Sequence, residues 1–161
     1  MKKEYINRID FTLAAISQNE SVARSLVGVA IASLDPTVEE LADIRCAVSE
    51  AVTNAIVHGY KNGSGAVGAY GAARVYISVR LFADRSVEIE VRDRGVGIAD
   101  VKRAREPLYT TDETGERSGM GFAVMEAFTD ALHVSSRLGR GTRVTLFKRL
   151  GEQKDRRTAD M

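Results

Sequence analysis

Glu50 and Asn54 stand four residues apart in a pattern that reads as a long helix, so their side chains share one face. An amide oxygen such as that of Asn54 suits magnesium, which keeps much of its water and takes other ligands from phosphates. A carboxylate one turn earlier, Glu50, would then lie near a terminal phosphate and could accept a proton from an attacking hydroxyl or water. At about 100° per residue this face points away from the Leu41–Val48–Val52 stripe, so it also suits an ordinary solvated face. Asp93 follows a strand pattern and precedes Gly95 and Gly97. An aspartate there can accept a hydrogen bond from the 6-amino group of adenine. Glycines two and four residues on let backbone approach a flat base without a Cβ clash. The same residues also read as a plain strand-ending turn. Ser118-Gly119-Met120-Gly121 leads into a helix, where free N–H groups and the helix dipole attract phosphate; a simple loop entering a helix reads the same way. With Arg117, the residues Lys102, Arg103 and Arg105 make the 99–117 loop basic, fit either for a phosphate-covering lid or for a solvated surface. Together these pieces supply what a magnesium-nucleotide site needs.

The elements that must position them are legible by periodicity. Ile9, Phe11 and Leu13 alternate as a first strand near residues 6–14. Asn19-Glu20 opens a helix whose apolar stripe reads as Val22, Leu26 and Val29, which sets Arg24 off the stripe and toward solvent or a partner. Leu34-Asp35-Pro36 breaks it. Thr37 and Glu40 form a capping box, and Leu41, Ile44, Val48, Val52 and Ala55 continue at helical spacing to a stop at Gly59. Residues 61–73 are a glycine- and alanine-rich loop. Val75 to Leu81 and Val87 to Val91 alternate as two strands joined by a hairpin. A short helix is expected near residues 100–105, another from Phe122 to Phe128, and strands at Leu132 to Ser136 and Val144 to Phe147. Hairpin joins dominate, which favours an α+β two-layer sandwich with a mostly antiparallel sheet and helices on one face.

The chain has 161 residues, 44% of them hydrophobic and 28% charged, as expected for one soluble globular domain over residues 1–150 with a polar, disordered tail at 151–161. A net charge of +1 gives no general attraction to nucleic acid or membrane. The single cysteine, Cys46, excludes an intramolecular disulfide framework and, with only His58 and His133 to join it, argues against zinc. No signal-peptide run and no apolar stretch of roughly 20 residues is present, so a cytoplasmic protein is expected. Gly63 to Gly68 matches G-x-G-x-x-G but follows a helix and precedes a strand, the wrong order for a dinucleotide site. Ala69-Tyr70 stands where a Walker A motif needs Lys-Ser/Thr, and the protein-kinase catalytic triplet is absent. His58 is read as a polar helix-end residue and Cys46 as structural.

Glu50-Ala51-Val52-Thr53-Asn54-Ala55 resembles the N box of the GHKL superfamily of ATPases and kinases. Asp93-Arg94-Gly95-Val96-Gly97 resembles its first glycine box and Gly119-Met120-Gly121 its second. Within that group, the run from Ser49 to Tyr60 and Arg117-Ser118-Gly119-Met120-Gly121-Phe122 are similar to the anti-sigma serine kinases of sporulation, over about residues 7–149. The resemblance implies a Bergerat-type sandwich that binds Mg-ATP, forms homodimers, holds a sigma factor inactive and phosphorylates a serine of an anti-anti-sigma protein. It implies Glu50 as base and Asn54 as magnesium ligand, with Asp93 reading adenine. Gly95, Gly97, Thr110, Ser118, Gly119, Met120, Gly121 and Thr142 would contact the nucleotide, and Arg24 would meet the protein partner. A general-stress anti-sigma kinase of the same fold, or an ATP-dependent binding module without catalysis, remain as alternatives. The 61–73 loop is longer and richer in glycine than the family pattern, and the tail runs past it.

Overall fold

The computed structural model of the chain describes residues 3–61, 73–107 and 120–151. The expected tail beyond Gly151, the glycine-rich loop from residue 62 to 72 and residues 108–119 lie outside the described residues.

The chain runs through β1 (Asn7–Ala14), α1 (Asn19–Ile31), a 3-10 turn (Ala32–Leu34), α2 (Val38–Asn54), a π-helical turn (Ala55–Gly59), β2 (Arg74–Leu81), β3 (Ser86–Arg92), α3 (Val101–Ala104), α4 (Gly121–Phe128), β4 (Ala131–Arg137) and β5 (Gly141–Arg149). The strands form one sheet in the order β1-β2-β3-β5-β4, and every described pairing is antiparallel. The expected sandwich is present.

The alternation in β2 and β3 fixes which side each residue takes. Val75, Ile77, Val79 and Leu81, with Val87, Ile89 and Val91, are all buried against the helices. The register sets Val79 opposite Ile89 and Ile77 opposite Val91. The other face carries cross-strand ion pairs, Arg80 with Glu88 and Arg143 with Glu90.

α2 is the central helix. Thr37 and Glu40 form the expected capping box, with the Glu40 N–H donating to Thr37 Oγ1 at 3.1 Å and the Thr37 N–H to the Glu40 carboxylate at 2.9 Å. Ile44, Ala47, Val48, Ala51 and Val52 are buried at spacings of three, four, seven and eight residues. Each large side chain so buried contributes about 1.5–3 kcal/mol.

α1 corrects the sequence reading. Val22, Leu26 and Val29, read as its inward stripe, are 41%, 40% and 74% exposed. The buried face is Ala23, Val27, Ala30 and Ile31. Two alanines let α1 lie close against α2, and closeness at that face outweighs the larger apolar residues one position round. Arg24 therefore sits at the margin of the buried face, half-buried and 3.7 Å from Glu20.

Candidate functional site

Asn54 is the last residue of α2 before the backbone widens into the π turn. Such widened turns concentrate at functional sites because they re-aim side chains. The turn ends at Tyr60, whose buried ring sends its hydroxyl to the Arg74 carbonyl at 2.7 Å and accepts the Arg94 N–H at 2.7 Å. The Val96 N–H donates to the Gly59 carbonyl at 2.9 Å. The end of α2 is thus tied by backbone and by one phenol to the turn that follows β3.

That junction explains three glycines. A Cβ on Gly95 would lie 2.0 Å from the Gly59 carbonyl oxygen, and one on Gly59 would lie 2.9 Å from the Asp93 carboxylate. Gly97 has φ of +75°, and a Cβ there would lie 2.2 Å from the Arg137 carbonyl oxygen. The sequence reading assigned Gly95 and Gly97 to close approach of a base. The structure shows that first of all they let the protein backbone approach itself. Gly59 stops the helix as expected, yet it is held to glycine by the neighbouring carboxylate.

Asp93 directly follows β3 and is 5% exposed. Its Oδ1 accepts the Gly95 N–H at 2.8 Å, and its own N–H donates to the Thr142 carbonyl at 2.9 Å. Burial pushes its carboxyl above the usual carboxylate value, and hydrogen bonds from the Gly95 and Thr142 backbone pull the other way. Thr142, also buried, opens β5 with its Oγ1 2.7 Å from Ser136 Oγ.

Asn54, Asp93 and Thr142 line one cavity of about 530 Å³, floored by Val91 and Val144 and walled by Ile98 and Leu138. The size and the apolar lining with a few convergent polar groups suit a nucleotide-sized ligand. Gly97 and Gly121 also line it, whereas Gly95 does not. Glu50 is half-buried beside the cavity rather than in its lining. A Cβ on Gly121 would lie 3.3 Å from Glu50 Oε2 and 3.2 Å from Asn54 Nδ2, so the carboxylate and the amide converge on the first residue of α4. Met120 caps that helix and is half-buried. Thr110, Ser118 and Gly119 lie outside the described residues.

The basic segment divides. Arg103 lines the cavity, while Arg105 is ion-paired with Glu126 of α4 and Lys102 is exposed. Arg24 stands apart from the cavity on α1. The Cys46 thiol is pushed up mainly by burial, then by the Glu50 and Asp43 carboxylates, with Arg24 opposing. His58, given no role from sequence, lines the cavity. Tyr60 and Ser136 were missed as well. Tyr60 lies within the motif run, but nothing in the local pattern marked Ser136.

The model of the histidine kinase-like ATPase domain family matches residues 13–148. An anti-sigma F factor from Priestia megaterium is 49% identical over 148 residues, covering 92% of this chain and 96% of its own length. One from Thermoanaerobacter sp. (strain X514) is 46% identical over 151 residues, covering 94% and 99%. The chain belongs to the anti-sigma F factor family of histidine kinase-like ATPase domains. Solved structures agree on the fold of this family member. The RsbU and RsbW domains of a Mycobacterium tuberculosis protein align with a TM-score of 0.63 at 22% identity over 91% of this chain. A blue-light activated histidine kinase from Erythrobacter litoralis aligns with a TM-score of 0.54 at 23% identity over 74% of it. This chain spans 33% of the length of each of those two structures. Membership in this family makes it an ATP-binding domain of the kinase type. Among the described residues no helix is long and apolar enough to cross a membrane.

Proposed function

We propose that residues 1–150 form one ATP-binding domain that acts as a protein serine kinase and a sigma-factor inhibitor in the cytoplasm. It holds a sporulation sigma factor inactive and phosphorylates a serine of the anti-anti-sigma antagonist. One observation carries the reading: Asn54 and Asp93, 39 positions apart in sequence, line the same cavity, with Glu50 at its edge. Close identity to anti-sigma F factors over nearly their whole length supports the two protein partners.

In this reading Asp93 accepts a hydrogen bond from the adenine 6-amino group, with Thr142 beside it. Gly97 and Gly121 let the nucleotide lie against backbone, Gly95 acts through the junction with Gly59 that sets Asp93, and the family resemblance adds Thr110, Ser118, Gly119 and Met120 as nucleotide contacts. Glu50 accepts the proton of the partner serine as its oxygen attacks the γ-phosphorus. The bond to the β-γ bridging oxygen breaks, and ADP leaves with that electron pair. A cation here would take the Asn54 amide oxygen and otherwise phosphate and water, as magnesium does. Bound on Asn54 and the phosphates, magnesium would neutralise charge on the β- and γ-phosphates.

α1 supports a protein-facing role. Its exposed Val22, Leu26 and Val29 stripe suits a homodimer or partner contact, and Arg24 at the helix margin suits the partner.

The test uses ATP labelled at the γ-phosphate, the antagonist protein and the Glu50→Ala variant. Transfer to serine should fall at least about 100-fold while ATP still binds. Undiminished transfer refutes the base, and label on a residue other than serine refutes the substrate class.

A further inference from the structure

Ser136 is absent from the cavity lining, yet it sits behind Thr142 at the meeting of three segments. Its Oγ accepts the Ile98 N–H at 2.7 Å, from the turn after β3. It lies 3.1 Å from the Gly141 carbonyl oxygen and 2.7 Å from Thr142 Oγ1, both at the start of β5. A serine hydroxyl has one proton and two acceptor lone pairs. The Gly141 carbonyl can only accept, so the Ser136 proton goes there. One lone pair is taken by the Ile98 N–H, which leaves the other for Thr142. Every partner is satisfied only when Thr142 donates its proton to Ser136.

That assignment fixes what Thr142 offers the cavity. With its proton turned back toward Ser136, the hydroxyl presents lone pairs alone. Asp93 next to it accepts the Gly95 N–H on Oδ1 and lines the cavity as a further acceptor. The wall between them is therefore built of acceptors. At position 6 of a purine, an amino group has two N–H donors and can meet both acceptors, while a 6-oxo group would bring an acceptor against them.

We propose that Ser136 is a positioning residue for base selection: it locks the Thr142 hydroxyl as an acceptor, so the cavity favours 6-amino over 6-oxo purine nucleotides. This rests on the nucleotide reading given above and adds to it the source of the selectivity.

The experiment measures equilibrium binding of ATP and inosine triphosphate to the full chain. The proteins are wild type, Ser136→Ala, Ser136→Thr, Thr142→Val and the Ser136→Ala/Thr142→Val double variant. Wild type should prefer ATP. Ser136→Ala should lower that preference by about tenfold, chiefly by improving inosine triphosphate binding as the freed Thr142 hydroxyl turns to donate. Ser136→Thr should keep the wild-type ratio. Thr142→Val should also lower the preference, and adding Ser136→Ala to it should change the ratio no further. A purely structural Ser136 would weaken both nucleotides equally and leave the ratio alone, which overturns the inference. An unchanged ratio in Thr142→Val overturns it too, and that arm decides should Ser136→Ala fail to fold. Wild-type protein that binds neither nucleotide overturns the nucleotide reading itself.

Discussion

Asp93 is the residue on which the adenine reading turns, and its burial gives it a testable acid–base behaviour. Its carboxyl is raised above the ordinary 3.8, mainly by desolvation. The folded protein then holds the proton more tightly than the unfolded chain. As pH rises from the unfolded pKa through the raised folded one, the folded state binds more protons, so Asp93 removes stability across that window. The Asp93→Asn variant lacks this loss, and thermal melts across that range should show wild type falling relative to it. Binding runs the other way. The ionised acceptor is the one that takes an amino N–H, so ATP affinity should drop as pH falls through the raised Asp93 value. Asp93→Asn should weaken ATP about 10–100-fold at neutral pH by titration calorimetry, because a hydrogen bond to a charged group is lost. Equal melting profiles for the two proteins would show that Asp93 ionises as it would in water. Sequence alone singled out Asp93 by its place at a strand end, but its burial and its hydrogen bond from Gly95 came only with the fold.

At the scale of elements, the α2 end and the turn after β3 are joined by backbone contact, and the glycines there differ in what they tolerate. Gly95→Ala would drive a Cβ into the Gly59 carbonyl at 2.0 Å, against backbone that cannot swing aside. A loss of about 2–4 kcal/mol in urea unfolding is expected, with weaker ATP binding as Asn54 and Asp93 are displaced. Gly139 has φ of +73° but open space around it, so Gly139→Ala should lose only about 1 kcal/mol and leave binding intact. Similar losses for the two would refute the junction as the reason for Gly95. α2 itself was readable from sequence because capping and periodicity are local: Thr37 bonds to Glu40, and Ile44, Val48 and Val52 repeat at helical spacing. α1 was misread because two of its four buried residues are alanines, and alanine carries little hydropathy signal against valine and leucine.

For the molecule as a whole, the outward Val22–Leu26–Val29 stripe is the feature that a lone chain does not need. Val29 is 74% exposed, so Val29→Lys should leave the stability of the isolated fold within about 0.5 kcal/mol. Light scattering should nevertheless show weaker self-association, or pull-down a weaker hold on the sigma factor. Unaltered assembly with every partner would remove α1 as a protein-facing surface. By contrast Ile44, 1% exposed at the centre of the core, should lose about 2–5 kcal/mol on change to alanine with no selective effect on partners.

The sequence by itself determined which local elements form, and it placed Glu50 and Asn54 on one helical face. Capping, alternation and helical spacing act within a few residues and leave their mark in order along the chain. Tertiary structure alone decided that Asn54 meets Asp93 at one cavity, that Gly95 is required by Gly59, and that Ser136 stands behind Thr142. Those facts depend on strands β3 and β5 lying side by side and on α2 ending against them. Contacts between segments far apart in sequence leave no periodic trace, because distance through space is set by packing and not by position in the chain.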